Sequence, residues 1–170
     1  MSFSHGLSPA DELSNRDIMD IFRVANSGGM RCSHYANVLL IISDHTKAIY
    51  DDRWSGEVFR YTGMGLESDQ RLDYSQNRTL YNSTREGTSL YLFEVVQEGR
   101  YIFQGEVYLA GEPYTESQPD INDKPRNVYV FPLMLSNGKK QVVIPREKLI
   151  LNAVARDRKV KKLDNNTLKK

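Results

Sequence analysis

The chain has 170 residues, 39% hydrophobic and 26% charged, which suits one globular domain with a buried core. No apolar run approaches the ~18 residues of a membrane span, no basic start precedes an apolar stretch, and the single Cys32 cannot pair within the chain. These features exclude a membrane protein and a disulfide scaffold, and a reducing, cytoplasmic setting is expected.

The net charge of +1 is unevenly spread. Residues 139–170 carry eleven Lys and Arg against three Asp and Glu, and the remainder carries twelve against nineteen. The basic end is either a grip for phosphate or a solvated linker to a further domain. Residues 1–16 read as a loose polar lead-in, the domain being drawn from residue 20, and 14–24 as a short helix turn capped at Ser14 or Asn15. After a loop at 26–30, the β-branched run 36–43 is a buried strand. Residues 44–57 are loop-like, 58–62 alternate as a strand, 63–65 turn tightly, and 70–86 suggest a short helix. Residues 89–96 and 101–109 form a hairpin across a four-residue turn, with Gly105 marking a bulge or bend. Residues 111–126 hold three of the six prolines and read as a long surface loop. Residues 127–135 are another strand, with Pro132 at an edge or bulge. Asn137 and Gly138 turn into a further apolar stretch, and 145–170 start helical and then fray. The fold class expected is α+β: a small, curved or barrel-like, mostly antiparallel sheet with short flanking helices.

Several chemistries lack their residues. One Cys and three His, none at ligand spacing, make no zinc site. Pro119-Asp120 has no Glu-x-Lys partner for a magnesium-dependent nuclease. There is no phosphate-binding Gly-Lys loop and no nucleophile elbow, and Gly63-Met64-Gly65 alone is too short to imply a nucleotide. No metal or cofactor is expected, and no catalytic residue is assigned.

The informative stretch runs from Tyr50 to Leu80. It holds Tyr50, Asp51 and Asp52, then Tyr61-Thr62-Gly63-Met64-Gly65, Asp69-Gln70-Arg71-Leu72 and Asn77-Arg78-Thr79-Leu80. This order, preceded by Val38-Leu39-Leu40, resembles the SRA domain, a reader of methylated or hydroxymethylated cytosine. Gly28-Gly29-Met30-Arg31, Ile42-Ser43-Asp44-His45-Thr46, Ala110-Gly111-Glu112-Pro113-Tyr114 and Val130-Phe131-Pro132-Leu133 bring it nearer to the SRA-like domain of McrA-like HNH restriction endonucleases. The likeness covers roughly residues 20–136, and the domain is expected to run over 20–150. The tail 151–170 would then lead toward an HNH nuclease domain outside this sequence.

The resemblance implies binding of double-stranded DNA with a modified cytosine (methylated, hydroxymethylated or glucosylated) by base flipping. Flipping costs a few kcal/mol, which a pocket must return. Two aromatic faces that sandwich a base supply about 1–3 kcal/mol of stacking per base, and a carboxylate accepts the cytosine N4 amino group that thymine lacks. By resemblance Tyr50 and Tyr61 form the sandwich, Asp52 accepts the amino group and Thr62 lies beside the C5 substituent. Trp54, in the same loop, is an alternative to Tyr50, which stands one residue nearer to Tyr61 than the family pattern has it. Arg31, Arg71 and Arg78, with Arg85, are candidate phosphate contacts. The basic finger of the eukaryotic readers has no counterpart, since Leu66-Glu67-Ser68 occupies a shortened loop. Met64 or a residue of 111–126 is left to fill the gap in the duplex.

Three other readings stay open. A related module could read modified RNA, since fold alone does not decide function. A base-modifying or glycosidic hydrolase could use Asp51 with Asp52, although adjacent carboxylates rarely converge on one atom. A protein-interaction domain could use the loop at 50–54 as its partner surface.

Overall fold

A computed structural model describes residues 3–47 and 49–138. Its elements are β1 (Glu12–Leu13), α1 (Asn15–Phe22), β2 (Met30–Ser33), β3 (Val38–Asp44), β4 (Arg53–Ser55), β5 (Val58–Thr62), α2 (Gln76–Tyr81), α3 (Ser83–Glu86), β6 (Ser89–Gln97), β7 (Arg100–Leu109), β8 (Tyr114–Pro119) and β9 (Pro125–Leu135). All strands share one sheet in the order β2-β3-β6-β7-β9-β5-β4, with β1 beside β7 and β8 beside β9. Every pairing is antiparallel except β3 with β6. The fold is therefore the mostly antiparallel sheet with short helices that the sequence suggests. Its two end strands, β2 and β4, do not pair with each other, so the sheet is open.

The apolar run of β3 explains itself by burial on both faces. Leu39 and Ile41 join Phe59, Tyr61, Leu92 and Phe131 on one side. Val38, Leu40 and Ile42 join Ile18, Phe22 and Phe93 on the other. Each such side chain contributes about 1.5–3 kcal/mol on burial. Helix α1 covers the second face. The Ser14 hydroxyl accepts from Asp17 N at 3.1 Å, the Asp17 carboxylate accepts from Ser14 N at 3.1 Å, and Arg23 in the left-handed region closes the helix. Leu13, Ile18 and Phe22 are all buried. The stretch read as a loose lead-in thus packs against the core from Phe3 on, through Phe3, His5, Leu7 and Leu13. Its apolar residues are too sparse to show in a polar sequence, yet each docks on the sheet.

The hairpin of β6 and β7 is tighter than expected. Gln97 pairs with Arg100, leaving Glu98 and Gly99 as a two-residue turn with Gly99 at φ 78°. The bend at Gly105 is present: Leu92 pairs with Gly105 but Phe93 with Phe103, so Gln104 is the extra residue of a bulge.

The long loop at 111–126 is a correction. Residues 114–119 form β8, paired with β9 from Pro125 to Val130. Pro119 and Pro125 face each other at the ladder's last rung, where a missing N–H costs little. Asp120 Oδ1 accepts from Asn122 N and Lys124 N and closes the turn. An edge strand with one wet face carries polar residues, which disguised it. The short strands β2 and β4 lie inside expected loops too, β4 with its residues half-buried to exposed and β2 with Arg31 and Ser33 buried though polar. Pro132 sits at neither an edge nor a bulge. It lies where β9 changes neighbour, from β8 up to Val130 to β7 from Leu133. The expected helix at 70–86 divides into α2 and α3, and Gly87 ends the second in the left-handed region. The expectations for 139–170 lie outside the described residues.

Candidate base-binding site

The site gathers where the ends of β3, β5 and β8 meet the loop before β4. Asp52 is 7% exposed. Its Oδ2 accepts from Ser43 Oγ at 2.6 Å and its Oδ1 from Thr62 N at 2.7 Å. Burial pushes its carboxyl up to about 6, against the pull of the Ser43 and Thr62 hydrogen bonds and of His45. The Thr62 hydroxyl also acts on this carboxylate, so of its roughly four acceptor sites three already have donors within the protein.

Tyr61 is buried, its hydroxyl donating to Gly29 O at 2.8 Å. Burial, Asp52 and Tyr50 together hold this phenol well above its ordinary value. Its ring stacks on Phe59 at 6.4 Å. Tyr50 is half-buried, and burial raises its phenol while the Gly65 backbone and Arg126 oppose the rise. Tyr50, Asp52 and Tyr61 therefore lie within electrostatic reach of one another. Thr62 is buried, and its Oγ1 accepts from Gln118 Nε2 at 3.0 Å. Trp54 is committed elsewhere: its indole packs on Phe59 at 5.0 Å and donates to Glu94 Oε2 at 3.2 Å. Of the two loop aromatics, Tyr50 is the one within reach of Tyr61 and Asp52.

The paired motifs after β5 hold the turn that follows Thr62. Asn77 Oδ1 accepts from Met64 N at 2.7 Å, and its Nδ2 donates to Met64 O and Arg71 O. Gln70 Nε2 donates to Gly63 O at 2.6 Å, and its Oε1 accepts from Tyr129 N at 3.0 Å. A Cβ on Gly63 would stand 2.8 Å from Asn77 Oδ1, so only glycine fits. Met64 is half-buried beneath this turn.

The arginine expectations divide. Arg31 is 5% exposed, and its guanidinium donates to Gly28 O, Asn15 Oδ1 and Ala25 O. It braces the loop that presents Gly29 O to Tyr61 and does not face solvent. Arg71 is exposed and paired with Asp73 at 2.9 Å, and Arg78 is exposed on α2.

Sequence reasoning missed four buried polar groups. Gln118 donates to Thr62 and Glu116, and its Oε1 accepts from Asp51 N at 3.1 Å. Glu94 collects Trp54, His45 and Gln104 Nε2, the last at 2.6 Å. Ser43 and Arg126 complete the set. The signal for Ser43 was present, as a hydroxyl ending an apolar strand. Gln118 and Arg126 lay within or at the end of the stretch read as loop.

A family model of the ScoMcrA-like SRA domain matches residues 9–158. The chain is a ScoMcrA-like SRA domain. Solved structures share its fold at low identity. The SRA domain of SUVH5 in complex with methylated CHH DNA aligns with a TM-score of 0.61 and 19% identity, over 85% of this SRA domain and 99% of that chain. The sulfur binding domain and SRA domain of ScoMcrA complexed with phosphorothioated DNA gives 0.63 and 19%, over 86% and 45%. The Type IV phosphorothioation-dependent restriction endonuclease ScoMcrA gives 0.63 and 18%, over 84% of this SRA domain and 27% of that chain. The SRA domain thus spans less than half of either ScoMcrA chain. No curated protein matches it. No helix among its described residues is long and apolar enough to cross a membrane.

Proposed function

We propose that this SRA domain reads DNA carrying a modified cytosine, taking the base out of the duplex into a pocket formed by Tyr50, Asp52, Tyr61 and Thr62. The observation that carries the reading is the buried Asp52, fixed at both oxygens by Ser43 and Thr62 and flanked by two tyrosines. Such a carboxylate has its geometry set before a base arrives, and it accepts the N4 amino group where thymine offers only a carbonyl. Tyr61 is the fixed wall and the half-buried Tyr50 is the wall on the open side.

The gap in the duplex would be filled by Leu66 and Ile121, 45% and 37% exposed, rather than by the half-buried Met64. Their loops are joined, Ile121 N donating to Leu66 O at 2.9 Å, and apolar wedges of this kind unstack base steps. Arg71 and Arg78 would position the backbone. In a longer protein the domain would give specificity to an HNH restriction nuclease acting in the bacterial cytoplasm.

The phosphorothioate in the ScoMcrA complex accompanies a separately named sulfur binding domain. A base modification therefore suits this domain better as its ligand. Flipping is tested with a fluorescent 2-aminopurine placed next to the modified cytosine. Its emission should rise on binding and stay quenched with Tyr50→Ala. Quenched emission with bound wild-type protein would rule flipping out.

A further inference from the structure

Arg126, on β9, is 5% exposed, yet only one corner of its guanidinium is satisfied within the protein. Nη1 donates to Gly65 O at 2.5 Å and to Ser68 O at 3.1 Å. Nε and Nη2 are buried and have no hydrogen-bond partner among the described residues. Those two nitrogens form the side-on edge of the guanidinium, which offers two parallel N–H donors. That edge matches two oxygens of one phosphate or carboxylate. Leaving buried charged donors unmet costs several kcal/mol, so a built-in bidentate edge without an acceptor points to one supplied from outside.

The location says which acceptor. Arg126 pairs in register with Gln118, the residue that holds Thr62 and Asp51 at the pocket. Residues directly opposite on antiparallel strands have Cβ atoms roughly 5 Å apart on the same face. The Arg126 charge also acts on the Tyr50 hydroxyl. Its cover is the loop Gly65–Ser68, exposed from Leu66 to Asp69, with Gly65 at φ 131° and Ser68 at φ 60°. A nucleotide swung out of the duplex brings its own phosphates to the mouth of the pocket.

We propose that the Nε–Nη2 edge of Arg126 clamps a phosphate flanking the extruded nucleotide, with the loop at 65–68 shifting to admit it. The inference rests on the pocket reading above, and it adds a phosphate seat that fixes how deeply the base is inserted.

The test uses duplexes with one 5-methylcytosine or one 5-hydroxymethylcytosine, each also made with a neutral methylphosphonate at either phosphate flanking that base. Binding of wild type, Arg126→Lys and Arg126→Gln is followed over a salt series, with thermal melts to show that the variants are folded. Wild type should lose at least tenfold in affinity at one methylphosphonate position. Both variants should lose a similar factor on the unaltered duplex, and Gln should lower the salt slope by about 0.9. Neither variant should respond further to the neutral phosphate. If no flanking methylphosphonate weakens wild type, or if it weakens the variants equally, Arg126 is only a brace for its loop. If Arg126→Gln fails to fold, Arg126→Lys, which keeps the buried charge, carries the variant arm. The pocket reading is judged separately by whether wild type prefers the modified duplex to the same duplex with plain cytosine.

Discussion

The backbone N–H of Thr62 donates to Asp52 Oδ1 at 2.7 Å, tying the end of β5 to a carboxylate that the sheet has removed from water. Burial raises the Asp52 carboxyl to about 6, so between the ordinary carboxylate range and that value the folded chain binds more protons than the unfolded one. Stability should therefore fall as pH rises through this window, by about 2–3 kcal/mol from this group. Asp52→Asn keeps the Thr62 contact and lets Ser43 Oγ accept from the amide. Denaturant unfolding should show that its stability changes less between pH 4 and 6.5, and that at pH 8 it equals or exceeds wild type. An unchanged slope would place the titration elsewhere.

Arg31 should act on stability and not on DNA. Arg31→Gln leaves Asn15 Oδ1, Gly28 O and Ala25 O without their donor, at a cost of about 2–4 kcal/mol. The salt slope of DNA binding should be unaltered in this variant. Arg71→Gln and Arg78→Gln, both at exposed positions, should do the opposite, holding the melting temperature and lowering the slope by about 0.9 each.

Gly63→Ala should destabilise without touching any ligand. The new methyl would stand 2.8 Å from Asn77 Oδ1 and 3.1 Å from the Phe131 ring, and Asn77 is pinned by three hydrogen bonds. Overpacking of this kind costs about 1–3 kcal/mol, or roughly 3–10 °C by differential scanning calorimetry.

Tyr50 and Trp54 should separate cleanly. Tyr50→Ala removes a half-buried ring, so the fold should change little while modified-base preference is lost. Trp54→Phe loses the Glu94 hydrogen bond from a side chain packed on Phe59, and should cost about 1–2 kcal/mol with the preference intact. Anisotropy titrations beside melts of the same samples read both effects.

The strands with strong hydrophobic patterning were legible because burial writes itself into β3, β5, β6, β7 and β9. The β8 edge strand was not legible, because Thr115, Glu116 and Gln118 are the residues a loop also uses. The motif named Tyr50, Asp52, Tyr61 and Thr62 together, and the fold brings these four near one another. What the sequence could not show is which way a charged side chain turns. Arg31 and Arg126 both turn inward, Arg31 onto the loop before β2 and Arg126 under the loop before α2. Their acceptors are backbone carbonyls, which any residue supplies, so no pattern of side chains announces them.

The most direct test is fluorescence anisotropy at near-physiological salt with four matched duplexes. These carry cytosine, 5-methylcytosine, 5-hydroxymethylcytosine or glucosylated hydroxymethylcytosine at one position, and a phosphorothioate duplex serves as a fifth arm. Wild type should bind at least one modified-cytosine duplex tenfold or more tightly than plain cytosine, about 1.4 kcal/mol, and Asp52→Ala and Tyr50→Ala should erase the difference. Equal binding to all duplexes, or a preference that survives both substitutions, would contradict the pocket.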